Sequence, residues 1–125
     1  MRDLVISENS TAEDLLPLAI AVNELVRLPV TMRSKNHPGV RVEKGKAVDE
    51  AYTGPVLEGV LASGEPSRTV PQSGTYEGVP VAVSPIIIDG RAVAAIGVVD
   101  LVGTIDIPEV FGAYAEVIEQ VSKGR

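Results

Sequence analysis

Apolar residues recur at helical spacing near the start of the chain. They follow one another at intervals of mostly three or four, which places them on one face of a helix. Thr11, with Asp14 three residues later, has the arrangement of a capping box, and Pro29 disfavours helical backbone in the residue before it. The pattern predicts a helix over residues 12–28. Its apolar face consists of Leu15, Leu18, Val22, Leu25 and Val26.

Two short strands are predicted next. Residues 30–33 favour a strand, and residues 40–43 alternate apolar and polar side chains, as a half-buried strand does. The six residues between them, 34–39, include Asn, Pro and Gly, which favour turns. The segment therefore predicts a hairpin, followed by a second turn at residues 44–46.

A second helix is predicted over residues 47–63, with an interruption at Gly54–Pro55. Its second part, residues 56–61, has clear helical spacing, and Gly64 is a typical residue at the C-terminal end of a helix. Residues 68–70 favour a short strand.

Residues 79–102 predict the longest hairpin of the chain. Asp89-Gly90 is a strong two-residue turn signal, and the nearly continuous apolar run from residue 92 to 101 indicates a strand buried on both faces. A two-residue turn pairs Val81 with Val98 and Val83 with Ile96, on one bulky face. A bulge at Pro85 would change this register. The opposite, small face would carry Ala82, Ser84, Ala95 and Gly97.

A last helix is predicted over residues 107–122. Asp106, Pro108 and Glu109 suit the start of a helix, and apolar residues follow at helical spacing. The whole order predicts one α+β domain over residues 1–125, an antiparallel sheet of about five strands with helices packed on it. The stripe of the last helix comprises Val110, Phe111, Tyr114, Val117, Ile118 and Val121.

This order resembles that of GAF, PAS and Cache sensor domains. The resemblance is carried by Val60–Pro66, by the hairpin Val81–Ile86 with Asp89–Arg91, and by the return strand Ala94–Asp100. It implies a GAF/PAS-like, profilin-like fold that binds a small molecule, cyclic nucleotide or cofactor and often dimerises through its terminal helices. The chain has no haem-ligand, bilin-cysteine or cyclic-nucleotide motif, so the ligand and any cofactor stay unassigned.

The whole chain also resembles an uncharacterised family of small proteins from methanogenic archaea, classed as a domain of unknown function. That resemblance implies a source and a fold, and it implies no established activity.

Composition narrows the class of function. The 125 residues include 17 acidic and 11 basic side chains, one His and no Cys, for a net charge of −6. The charge argues against general nucleic-acid binding, and the absence of Cys with a single His argues against a zinc site. No apolar run reaches the roughly twenty residues of a membrane span, and no signal peptide is evident, so we expect a cytoplasmic protein.

One segment of this acidic chain is basic. Residues 30–46 carry a net +4, whereas residues 1–29 carry −3 and residues 47–125 carry −7. A small anionic ligand could be attracted here, with Arg33 and His37 among its contacts. The alternative is a solvated hairpin whose basic side chains protect an exposed sheet edge, with His37 as a surface turn residue.

Asp100 and Ser84 lie on strands rich in apolar residues. A buried carboxylate needs a partner, so Asp100 is a candidate ligand contact at a strand end. It is equally suited to accepting backbone hydrogen bonds in the connection to Asp106.

Tyr52 and Tyr76 are two of only four aromatic residues, and both adjoin glycines in irregular stretches. Such placement suits a pocket rim. We therefore expect residues 44–77 to cover the small face of the sheet, and the terminal helices to pack on the bulky face. The expected pocket is lined by Tyr52, Arg68, Tyr76 and Ser84.

The leading hypothesis is a non-enzymatic, small-molecule-sensing or regulatory domain. A second hypothesis is a homodimeric interaction module built through the terminal helices. A third is a small enzyme that uses Asp100 or His37 as acid or base, although no second catalytic partner is visible.

Overall fold

The computed structural model describes residues 3–101, and the predicted helix over residues 107–122 lies outside this range. The described part of the chain has two helices and one six-stranded antiparallel sheet, of order β3-β2-β1-β6-β5-β4. The predicted α+β class is confirmed, with six strands instead of about five. The elements are α1 (Ala12–Val26), β1 (Val30–Ser34), β2 (Gly39–Glu43), β3 (Lys46–Tyr52), α2 (Pro55–Ser63), β4 (Ser67–Thr69), β5 (Val81–Ile88) and β6 (Arg91–Val99).

Helix α1 begins as the sequence predicts. The Thr11 hydroxyl accepts a hydrogen bond from the Asp14 amide at 3.3 Å, and the Asp14 carboxylate accepts one from the Thr11 amide at 2.9 Å. The helix ends at Val26, earlier than predicted, because Arg27 adopts a left-handed conformation with φ 59°. Its amide still donates to the Asn23 carbonyl at 2.8 Å, which closes the last turn.

The helix predicted over residues 47–63 is wrong in its first part. Residues 46–52 form strand β3, paired antiparallel with β2. The cause is the tight turn before it, because Lys44 and Gly45 both have positive φ angles (53° and 77°), which suit a two-residue hairpin turn. The helix begins only at Pro55, after Gly54 in extended conformation.

The β5–β6 hairpin has the predicted turn but a shifted register. Ile88 pairs with Arg91 as expected, whereas Ile86 pairs with Ala94. Val93 is therefore an extra residue, a bulge whose carbonyl accepts a hydrogen bond from the Lys35 amide at 2.9 Å.

The bulge makes the predicted division into a bulky and a small face wrong. Beyond it, Val83 pairs with Gly97 and Ala82 with Val98, one residue away from the predicted register. Each face of the hairpin therefore carries both large and small residues.

The two helices lie on opposite faces of the sheet. On the α1 side, Leu15 and Ala19 pack on strands β1 and β2, together with the half-buried Ile96 and Val98. On the α2 side, Leu57 and Val60 pack on β5 and β6. Residues 44–77 thus cover Ala95, as expected, but Val81 and Val83 as well. Neither helix in the described range is long and apolar enough to cross a membrane.

Two glycines give contrasting predictions for stability. A Cβ on Gly39 would overlap the Met32 carbonyl oxygen and lie 2.6 Å from Arg33 Cα, so Gly39→Ala should cost at least about 3 kcal/mol. A Cβ on Gly59, inside α2, would meet nothing within 4 Å. Gly59→Ala should therefore stabilise the fold by up to about 1 kcal/mol through helix propensity. Urea denaturation measures both, and an equal effect of the two changes would contradict this packing.

Candidate functional site

A small pocket lies between the α2 side of the sheet, the start of α2 and the segment of residues 70–80. Its floor comes from strands β1, β5 and β6, and residues of the segment close it from above. The volume open to the centres of water molecules is about 30 Å³, room for one or two waters. Most of the lining is apolar, and its polar members are Thr31, Tyr52, Ser73, Thr75 and Tyr76.

The two tyrosines meet in this pocket. Their ring centroids lie 6.5 Å apart at an interplanar angle of 59°, within the range of favourable aromatic pairs. Tyr52 ends strand β3 and is 6% exposed. Burial raises the pKa of Tyr52, and a hydrogen bond with Thr75 partly offsets this rise. A Cβ on Gly54 would lie 3.0 Å from the Tyr52 hydroxyl, so a side chain there would require the tyrosine to shift slightly.

Tyr76 connects the pocket to a polar cluster on strand β2. Its hydroxyl donates a hydrogen bond to the Glu43 carboxylate at 2.6 Å, and the same oxygen accepts from Arg41 Nη1 at 2.9 Å. The Arg41 guanidinium carbon lies 5.8 Å from the Tyr76 ring centroid. Burial and the bond to Glu43 together raise the pKa of Tyr76. The cluster fixes the segment of residues 70–80 to the sheet.

Arg41 and Glu43 were not predicted as site residues. They lie two apart on β2, with the buried Val42 between them, so both side chains face the α2 side. That alternation is visible in the sequence. What the sequence does not show is that Tyr76, 33 positions beyond Glu43, comes to lie against them. Arg41 Nε is buried and has no hydrogen-bond partner within residues 3–101.

Arg33 lies on the α2 side of the sheet, and its guanidinium is already held by partners within the chain. It donates to the Thr53 hydroxyl at 2.8 Å and to the Ser34 carbonyl at 2.8 Å, and it lies 3.8 Å from the Glu58 carboxylate. Its side chain is 14% exposed. Arg33 therefore ties β1 to the start of α2.

Arg68 and Ser84 do not join the tyrosines, contrary to the predicted single pocket. Both line an open groove on the α1 side of the sheet. The reason is the bulge in β6, which aligns Ser84 with Ile96 across the ladder, and the pairing of Arg68 with Ala82. The tyrosine pocket and this groove are separated by the sheet.

His37 and Asp100 lie far apart. His37 follows the end of β1, and Asp100 follows the end of β6, which runs antiparallel to β1 with Val30 opposite Val98. They therefore mark opposite ends of the central strand pair. His37 is exposed in a turn where its amide donates to Ser34 Oγ at 3.2 Å. Asp100 is buried, and its amide donates to the Pro80 carbonyl at 2.8 Å.

No three His, Cys, Asp or Glu side chains converge to hold a metal ion within residues 3–101.

The Tyr76 hydroxyl gives a prediction about pH. Its pKa in the folded chain lies above the ordinary 10.0, so the folded state keeps a proton that the unfolded state loses. The resulting stability is fully present below pH 10.0 and is lost as the pH rises further. Tyr76→Phe has no such proton, so its free energy of unfolding should fall less steeply above that pH.

Urea denaturation at a series of alkaline pH values measures this slope. Near neutral pH, Tyr76→Phe should also cost about 1–2 kcal/mol, because the bond to the Glu43 carboxylate is lost. The pKa of Tyr52 is raised as well, so part of the slope remains in the variant. Identical slopes for Tyr76→Phe and the unaltered chain would refute the buried tyrosine–carboxylate bond.

Comparison with known proteins places this chain in a family. A family model described as "Uncharacterized protein conserved in archaea (DUF2111)" matches residues 22–102, which is more than half of the chain. "Uncharacterized protein MJ0405" of Methanocaldococcus jannaschii is 52% identical over 99 residues, covering 78% of this chain and 76% of the relative. No solved structure matches the chain. The expected kinship with an uncharacterised archaeal family is confirmed, and the chain belongs to the DUF2111 family.

Proposed function

We propose that this chain is a non-catalytic regulatory domain that senses a small molecule through the pocket of Tyr52 and Tyr76. The observation that carries the proposal is the meeting of these two tyrosines. They belong to a set of only four aromatic residues, are distant in sequence, and line one pocket together. Pockets that are mostly apolar with a few convergent polar groups are the usual places for small ligands.

The sensor resemblance supports the same proposal. A central antiparallel sheet with helices packed against it is the arrangement that a GAF, PAS or Cache-like domain requires. We therefore propose in addition that the domain has a GAF, PAS or Cache-like fold.

The lining favours an uncharged, planar ligand. Aromatic rings and aliphatic side chains dominate the pocket, and its polar groups are hydroxyls. Within residues 3–101, the two arginines on this side of the sheet each have a carboxylate close by, Glu58 for Arg33 and Glu43 for Arg41. An anion would have to compete with these carboxylates, so an anionic ligand is the second choice.

Binding would move the segment of residues 70–80. The pocket has room for one or two waters, so a larger ligand must displace the segment outward. The segment is held by the bond between Tyr76 and Glu43. A ligand that replaced this bond would shift the chain between two arrangements, which is the property a sensor needs.

A thermal-shift screen with a matched pair of variants tests the proposal. The library contains planar heterocycles, nucleosides, nucleotides and carboxylic acids. At a hundredfold excess over Kd, a ligand should stabilise the fold by about 2.7 kcal/mol, which raises Tm by roughly 10 °C. Ser73→Trp should abolish the shift, because Ser73 lines the pocket, whereas Gln72→Trp, at the neighbouring exposed position, should retain it.

The outcomes of the screen distinguish an uncharged ligand from an anionic one. A shift from uncharged compounds that disappears only in Ser73→Trp supports the proposal as stated, and one confined to carboxylates or nucleotides supports the anionic alternative. A library without any hit, or a hit equally strong in Ser73→Trp, would overturn the assignment of the pocket.

A further inference from the structure

An apolar groove runs beside α1 on the face of the sheet away from the tyrosine pocket. Its floor is formed by β5 and β6, β4 borders it, and Val22 of α1 contributes to its lining. The groove has a volume of about 760 Å³. Its main lining residues are Val22, Arg68, Ala82, Ser84, Ile96 and Val98.

The strand that forms this floor is built for burial on both faces. Residues 92–101 are nearly all apolar, a pattern typical of a strand covered on two sides. On the α2 side the cover is present, and Ala95 and Val99 are 0% and 1% exposed. On the α1 side, within the described residues, Ile96 and Val98 remain only half-buried. The floor of the groove therefore lacks a covering element among residues 3–101.

We propose that the C-terminal segment of this same chain, residues 107–122, packs into the groove as a helix beside α1. The proposal is independent of what the tyrosine pocket binds.

The position and length of the segment suit the groove. The described chain ends at Leu101, directly after β6, and Val98 of that strand already lines the groove. The five residues 102–106 can span up to about 17 Å, enough to turn back over the sheet. A sixteen-residue helix is about 24 Å long, close to the roughly 30 Å of a nine-residue strand such as β6.

The chemistry of the segment also suits the groove. Its predicted apolar stripe, with Phe111 and Ile118 beside the valines, matches an apolar floor and the Val22 flank of α1. Its other positions include Glu109, Glu116 and Glu119. Arg68 is the one charged residue among the described residues that line the groove, and it is exposed at the border strand β4. Attraction between the exposed Arg68 and these acidic residues would add only weakly to the apolar match.

Paramagnetic relaxation in the full-length chain tests the proposal. The chain has no Cys, so Gln120→Cys, at a polar position of the segment, carries a single nitroxide label. Amide signals of Val22, Ala82 and Ile96 should broaden strongly, and those of Leu57 and Val60 on the α2 side should broaden least. Broadening that is uniform, absent from the groove or strongest on the α2 side would overturn the proposal.

A mixed sample distinguishes a second copy from the chain's own segment. Spin-labelled chains without isotopes are mixed with isotope-labelled chains that carry no spin label. The comparison sample is a chain that carries both the spin label and the isotopes. Groove broadening that is seen in this chain and is absent from the mixture supports packing within one molecule. Equally strong groove broadening in the mixture would mean that the segment enters a partner's groove, and it would overturn the proposal.

A matched pair of serine variants tests the groove itself. Ser84→Glu places a carboxylate on an exposed position of the apolar floor, near the acidic segment, and should reduce the groove broadening several-fold. Ser63→Glu, exposed at the end of α2, makes the same change on the other face and should leave the broadening unchanged. Unchanged broadening in Ser84→Glu, or equal losses in both variants, would refute the docking site.

Discussion

The pairing of β1 with β6 is the contact on which the rest of the molecule depends. The ladder from Val30–Val98 to Ser34–Ala94 joins the meander β1–β2–β3 to the half made of β4, β5 and β6. Both cores rest on this pair, since Val30 packs under α1 and Val99 packs under α2. The absence of a side chain at Gly97 leaves room here, because a Cβ would lie 2.7 Å from Val83 Cγ2. If this ladder were lost, the strands beneath both hydrophobic cores would separate.

The bulge at Val93 determines what each face of the sheet presents. Its carbonyl accepts from the Lys35 amide, so the bulge is held by the neighbouring half of the sheet. Without it, Ser84 would lie opposite Ala95 and share a face with the pocket residues. With it, Ser84 lies opposite Ile96, and the α2 side is left to Val83 and the tyrosines. The extra residue therefore places Ser84 in the proposed docking groove and keeps it out of the proposed ligand pocket.

Part of the candidate site could be predicted from the sequence. The scarcity of aromatic residues and the glycines beside them identified Tyr52 and Tyr76, and the structure brings the two together. Arg41 and Glu43 were overlooked, because their role arises from contact with Tyr76 across a long loop. Arg68 and Ser84 were assigned to the pocket of the tyrosines, but Arg68 pairs with Ala82 and lies with Ser84 on the α1 side, and no local pattern shows which face of the sheet each loop covers.

The sequence by itself determined the local elements whose causes are local. The capping box of α1, the turn at Asp89-Gly90 and the end of α2 at Gly64 all follow from neighbouring residues. Only the tertiary structure decided that residues 46–52 are a strand: they pair with β2 across a tight turn, where the sequence predicts a helix from residue 47. It also decided the register of β5 and β6 and the meeting of Tyr76 with Glu43. These features depend on hydrogen bonds and packing between distant segments, whose free energy outweighs the weak preferences of any short stretch.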